Sequence, residues 1–262
     1  NLGNKVLDKR FERWDACSLC EQDYHGVVAC ALGWACWKTY LGLPETDRSR
    51  ANAMNLLGNG LSDVCLFKDA LSVREAQLSM RRRDGASEDR ILTVQSQIAN
   101  TYDALGLDQE SHQMSRDVYS ISIKLYGEEH EDTLMGALSY ATSLLRLERF
   151  IEAQSLLLKA MPVAQRVVGE NHELTHRMRF TYAVVLYRDP GATLEDLRSA
   201  VTTLEDIEGI ARRVYGVTHP LTGRVEHHLG NARTLLRARE EAPGDVSSVC
   251  DQMAAMTPPG DS

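Results

Sequence analysis

Tyr126-Gly-Glu-Glu-His130-Glu-Asp-Thr133 is followed by Val168-Gly-Glu-Asn-His172-Glu-Leu-Thr175 and then by Tyr215-Gly-Val-Thr-His219-Pro-Leu-Thr222. A weaker copy stands at Asp84-Gly-Ala-Ser-Glu88. The four glycines, Gly85, Gly127, Gly169 and Gly216, are spaced by 42, 42 and 47 residues, the last interval carrying an insertion around Asp189-Pro190-Gly191. A fixed period of this length marks a repeat architecture. A second register agrees with it. Small residues stand at Gly58, Ala99, Ala141, Ala183 and Gly230, each preceded by Leu57, Ile98, Tyr140, Tyr182 or Leu229. Three residues further on come Leu61, Tyr102, Leu144 and Leu186, with Arg233 breaking the pattern in the last copy. This is the apolar stripe of a helix that packs closely at its small residue.

A second helix follows within each unit, with its own small residue at Ala70, Ser111, Ala153 or Ala200, and it runs to the loop glycine, a good helix C′ residue. The spacing predicts helix pairs at about 47–64 and 67–84, 88–105 and 108–126, 131–147 and 149–168, and 173–188 and 193–215. A polar final helix at about 219–240 is expected to cap the stack. Pro162 falls within a predicted helix and is expected to kink or interrupt it. Residues 241–262 are expected to be a disordered tail. His130, His172 and His219 recur once per repeat. Stacked repeats hold them about 10 Å apart, too far to share a metal, so they are expected to bond the loop backbone or cap the next helix. Thr133 and Thr175 are placed to support the same helix starts.

The unit of helix, turn, helix and glycine loop resembles the tetratricopeptide repeat. The 42-residue period with its Gly-x-x-His-x-x-Thr loop resembles the repeats of kinesin light chains. The resemblance covers roughly residues 47–240 and implies an all-α, right-handed superhelical solenoid of antiparallel helix pairs. The expected organisation is a Cys-rich segment with an apolar helix over 1–40, the solenoid over 41–240 and the tail over 241–262.

Composition agrees with an all-helical chain. Of seven prolines, three (Pro243, Pro258, Pro259) lie in the last twenty residues, which leaves few helix breakers elsewhere. Net charge is −8, which disfavours a nucleic-acid partner unless the basic residues segregate. No apolar run reaches transmembrane length, so no membrane partner is expected. Residues 1–15 lack the apolar core of a signal peptide, and a cytoplasmic location is expected. The chain starts at Asn1 rather than at a methionine and is read as a piece of a longer protein.

The six cysteines cluster towards the start: Cys17, Cys20, Cys30 and Cys36, with Cys65 and Cys250 apart. Cys17-x-x-Cys20 has the spacing with which two thiolates chelate one zinc. Candidates for the missing ligands are His25, Cys30 and Cys36. However, residues 26–40 read as an apolar helix on which Cys30 and Cys36 point apart, so both are expected to be buried thiols. The phrase from Trp14 through Cys17, Cys20 and His25 to Gly26, followed by an apolar helix, resembles the C-terminal end of a RING-CH zinc finger. Only the last ligand pair of such a finger is present. The resemblance implies a zinc site, and a ubiquitin-conjugating enzyme as partner, only if the rest of the module lies upstream. No cofactor is expected for this chain alone.

No phosphate-binding loop, dinucleotide fingerprint, zinc-protease motif or nucleophile elbow occurs, so an enzyme is not expected. The tetratricopeptide resemblance places the concave face on the first helix of each pair. Carried over, groove positions include Asn55, Asn59, Asn100, Arg146, Arg177, Phe180, Tyr187, Arg188 and Arg224. Carboxamides hold both N–H and C=O groups of an extended peptide, and arginines interleaved with apolar anchors suit an acidic segment. The expected function is a non-catalytic scaffold binding such a segment. The alternative is the substrate arm of a RING-CH type ubiquitin ligase.

Overall fold

The computed structural model describes residues 11 and 13–241. Ten helices of fifteen or more residues follow one another among them: α1 (Gly26–Tyr40), α2 (Arg48–Asp63), α3 (Phe67–Arg83), α4 (Glu88–Ala104), α5 (Asp108–Tyr126), α6 (Glu131–Arg146), α7 (Phe150–Val167), α8 (Glu173–Arg188), α9 (Leu194–Tyr215) and α10 (Pro220–Glu241). The helix-pair reading therefore holds to within two residues at every boundary. The expected tail lies outside the described residues. An isolated antiparallel bridge, Ala16 with Asp23, is the one β feature among the described residues. The chain is an all-α solenoid of antiparallel helix pairs. It divides into two compact units, one ending at Thr175 and the other starting at His176.

The two small-residue registers meet where the paired helices cross. Gly58, Ala99, Ala141 and Ala183 are buried, as are Ala70, Ser111, Ala153 and Ala200. The Ser111 hydroxyl even donates to the Ala99 carbonyl across the crossing, 3.2 Å away. Gly230 differs: it is exposed and nothing lies within 4 Å of where its Cβ would stand. No further helix among the described residues packs on that side of α10, so the small residue has nothing to approach.

The loops do what their residues predict, except at Thr133, whose buried hydroxyl finds no hydrogen-bond partner among the described residues. The Nδ1 of His130, His172 and His219 accepts a hydrogen bond from the backbone N–H two residues on, at 3.2, 3.3 and 3.2 Å respectively. Each histidine thus satisfies a backbone donor that the helix start leaves open. The Thr175 and Thr222 hydroxyls donate to the Gly169 and Gly216 carbonyls (2.7 and 2.8 Å), which ties each loop to the helix it begins. Gly127 and Gly216 have φ of 83° and 88° with ψ near 170°, a conformation open essentially to glycine alone. A third register appears within the pairs. Cys65, Gly106 and Glu148 each adopt positive φ, and the residue after each donates back to Leu61, Tyr102 or Leu144. This is a Schellman turn repeated three times, with glycine at only one of the three positions.

The expected interruption at Pro162 does not occur: α7 runs unbroken across it. The carbonyl freed by the missing N–H belongs to Leu158. Leu158 and Pro162 are both exposed, so water can replace the lost bond.

At the start of the first unit, α1 lies along α2 at unusually short range. A Cβ on Gly33 would fall 2.9 Å from the Leu56 oxygen and the Leu57 Cα. One on Gly60 would fall 2.7 Å from the Ala29 oxygen and the Cys30 Cα. The two glycines let the backbones touch. Cys36 is buried as expected, whereas Cys30 is only partly covered.

Candidate peptide-binding surfaces

In the first unit, most of the amides expected to face a peptide are already committed to other side chains of the chain. Asn55 Oδ1 accepts from Gln97 Nε2 at 2.6 Å, and Asn59 Oδ1 accepts from the Arg74 guanidinium at 3.0 Å. Arg74 is buried without a carboxylate beside it. It donates instead to the Thr101 hydroxyl and the Gln97 carbonyl, and burial pulls its pKa down to about 10. Arg146 is held by Asp103 and lies 3.7 Å from Asp108, so its charge is balanced within the unit. Asn100 remains exposed. It lines a concavity of about 250 Å³ walled by α4, α5 and α6, together with Ser96, Ser115, Ser122 and Met135. Ser115 and Ser122 come from the second helix of their pair, which the groove positions drawn from first helices omit. Their small size is the only sequence signal for them.

In the second unit an aromatic and cationic cluster forms between α8 and α10. Tyr187 is 6% exposed, so it offers little contact surface itself; its hydroxyl sits 2.6 Å from His228 Nδ1. Phe180 meets the same imidazole edge-on at 5.2 Å, and the Arg224 guanidinium lies over the Phe180 ring at 5.9 Å. Burial, and after it the charges of His227, Arg224 and Arg188, hold the His228 pKa below its usual value. These effects place Arg188 and Arg224 about one uncharged imidazole. Arg188 also borders an apolar cleft of about 450 Å³ containing Leu197, Leu235 and Ala238, with Arg239 on the rim. Four other arginines of this unit are neutralised by acids: Arg179 by Asp206, Arg198 by Glu240, Arg212 by Glu208 and Glu226, and Arg233 by Glu205. Arg188 and Arg224 have no carboxylate within ion-pair distance among the described residues. Arg177 is exposed on the same helix as Arg188. His228 was absent from the groove positions read from the sequence.

Cys17 and Cys20 stand in a tight turn. The Cys17 N–H donates to the Gln22 carbonyl and the Glu21 N–H donates to the Cys17 carbonyl, both at 2.8 Å. The backbone N–H groups of Leu19 and Cys20, and then the Cys20 thiol, favour the Cys17 thiolate and lower its pKa. Among the described residues, no three His, Cys, Asp or Glu side chains converge as a metal site. No described helix is long and apolar enough to cross a membrane.

Residues 91–132 and 139–173 match the tetratricopeptide repeat family. The two matched segments are of the tetratricopeptide type. Two crystal structures of a kinesin-light-chain-like protein from Podosopora anserina, with nearly identical TPR-like repeats, align with TM-scores of 0.58 and 0.57 at 20% identity. They cover 81% of this chain and 96% or 95% of theirs. BtubC (BKLC) from P. vanneervenii aligns with a TM-score of 0.61 at 17% identity, over 89% of this chain and 94% of that one. The apo form of RapI aligns at 0.51 and 11% identity, over 91% and 90%. At these identities the likeness establishes the tetratricopeptide fold. No curated protein matches the chain by sequence.

Proposed function

We propose that this tetratricopeptide-type chain is a non-catalytic scaffold, and that its second unit binds an acidic, partly apolar segment of a partner protein. The observation that carries this reading is the contrast among the arginines. Arg188 and Arg224 stand unpaired beside Phe180 and His228, while four neighbouring arginines hold carboxylates. A carboxylate from a partner would supply the missing charge. An apolar neighbour on the same segment would enter the cleft beside Leu197 and Leu235. A cytoplasmic setting belongs to the same proposal. The test is fluorescence anisotropy with a labelled peptide of alternating Glu and Leu. Affinity is expected to be micromolar, since a disordered ligand must be ordered on binding, and to fall as salt rises. Changing Arg188 and Arg224 together to Glu should abolish it without altering the helical circular dichroism. Unchanged binding by that variant refutes the proposal.

A second reading, the substrate arm of a RING-CH type ligase, draws on the Cys17–Cys20 turn. It predicts that a longer chain carrying further Cys and His pairs upstream binds zinc through Cys17 and Cys20. Unaltered zinc content after changing both to Ser would refute it.

A further inference from the structure

The first of the described helices, α1, is apolar on both of its faces. One face meets α2 at the close Gly33 and Gly60 contacts. The other follows helical spacing through Val27, Ala31, Trp34 and Lys38, with Val28 and Ala35 beside it. All six side chains are exposed, Val27 by 77%, Val28 by 53% and Trp34 by 44%. Lys38 is the one charged residue of the whole helix. A helix that is apolar all round is ordinarily buried all round. A helix that ends a stack against water carries a polar outer face instead. The outer face of α1 has the composition of a contact surface.

The charges at its two ends say what fits it. Lys38 stands in the last turn and has no carboxylate within ion-pair distance among the described residues. At the opposite end, just before α1, Asp15 and Asp23 lie close together. The bridge between Ala16 and Asp23 holds them there, and burial followed by the Asp23 charge pushes the Asp15 carboxyl above its usual value, with no cation to offset either. A second α1 laid antiparallel across the first, with the two copies of Ala31 at the two-fold axis, answers both ends at once. Counted equally from Ala31 along the helix rise, Val28 stands level with Trp34 of the second copy and Val27 with Ala35. Small residues thus sit at the crossing and large ones flank it. Lys38 falls level with the segment just before the second copy's α1, where Asp15 and Asp23 lie, and two-fold symmetry makes this contact twice. We propose that the outer face of α1 is the interface of a homodimer, in which two α1 helices pack antiparallel about Ala31 and Lys38 of each copy faces the Asp15 and Asp23 carboxylates of the other.

The test is sedimentation velocity of the full chain from low to several hundred micromolar. The wild type is expected to pass from monomer to dimer within the micromolar range, as suits an interface of modest size. Trp34→Lys should leave a monomer at every concentration. Its helical circular dichroism should be unchanged, because Trp34 is already partly exposed in the single chain. Lys38→Glu should weaken the dimer about tenfold, since two symmetric contacts turn from attraction to repulsion. Adding Asp23→Lys to Lys38→Glu should restore most of that loss, which a parallel or shifted pairing would not allow. A wild type that stays monomeric throughout overturns the proposal, as does a dimer that Trp34→Lys leaves intact. A dimer lost with Trp34→Lys but unmoved by either charge change overturns the antiparallel pairing. A monomer that dimerises only when residues 1–10 are deleted assigns the face to the chain's own start and likewise overturns the proposal.

Discussion

Gly60→Ala should destabilise the first unit even though alanine is the better helix former. In an exposed helix interior the change would gain about 1 kcal/mol from backbone entropy and helix propensity. Here the new Cβ would stand 2.7 Å from both the Ala29 oxygen and the Cys30 Cα. Both are backbone atoms of α1, so no side-chain rotation relieves the clash. Restoring ordinary contact requires α1 to move by roughly 1 Å, and overpacking of this kind typically costs about 1–3 kcal/mol or somewhat more. With the helix gain subtracted, the net loss is up to about 2 kcal/mol. Gly230→Ala provides the contrast. It sits in a helix with nothing within 4 Å of its Cβ, so it should keep the propensity gain and stabilise by about 0.5–1 kcal/mol. The assay is urea unfolding followed by tryptophan fluorescence. All three tryptophans, Trp14, Trp34 and Trp37, lie on or just before α1, so the signal reports the crossing under test. The Gly230 variant belongs to the second unit and is followed by circular dichroism. A Gly60→Ala midpoint equal to or above wild type would refute the close crossing of α1 on α2.

Two further outcomes follow from titratable groups. His112 lies against Ser143 and Arg149, and burial, then the charges of Arg149 and Arg116, hold its pKa below the usual value despite Glu152. The unfolded chain therefore binds a proton that the folded chain does not, so stability is full above about pH 6.5 and declines as pH falls below it. The thermal midpoint should drop between pH 7.5 and 5.5, and His112→Gln should shrink that drop; an unchanged drop would count against the assignment. Burial raises the Cys36 thiol to about 11, whereas Cys17 is lowered, so iodoacetamide should label Cys17 first and Cys36 only on unfolding. Peptide mapping by mass spectrometry that found Cys36 labelled first would show otherwise.

The repeat period, helix boundaries and loop roles were legible because each depends on local chemistry. A glycine at positive φ, a histidine two residues before the N–H it accepts from, and an alanine at a crossing act within one repeat or its neighbour. The 42-residue spacing shows each of them more than once. The interruption expected at Pro162 does not occur because a proline's cost depends on whether the freed carbonyl meets water. That is set by which side of α7 faces solvent, not by the helix sequence alone.

The candidate site divides along the same line. The helix-pair solenoid and the residues that stand on the first helices are legible in the chain alone. The sequence could not tell a free polar side chain from an engaged one, because the partner is about one repeat away in the chain. Asn55 meets Gln97 and Arg146 meets Asp103, each pair 42 or 43 residues apart, while Arg224 lies over the Phe180 ring and neither it nor Arg188 meets an acid among the described residues. Folding alone reveals that Arg146 is neutralised, that Tyr187 is buried against His228, and that Ser115 and Ser122 line the concavity between α4, α5 and α6. Period and face follow from helix geometry, which each short stretch of chain carries for itself. Charge balance and solvent access depend on which repeats come together, and no single stretch of sequence contains that information.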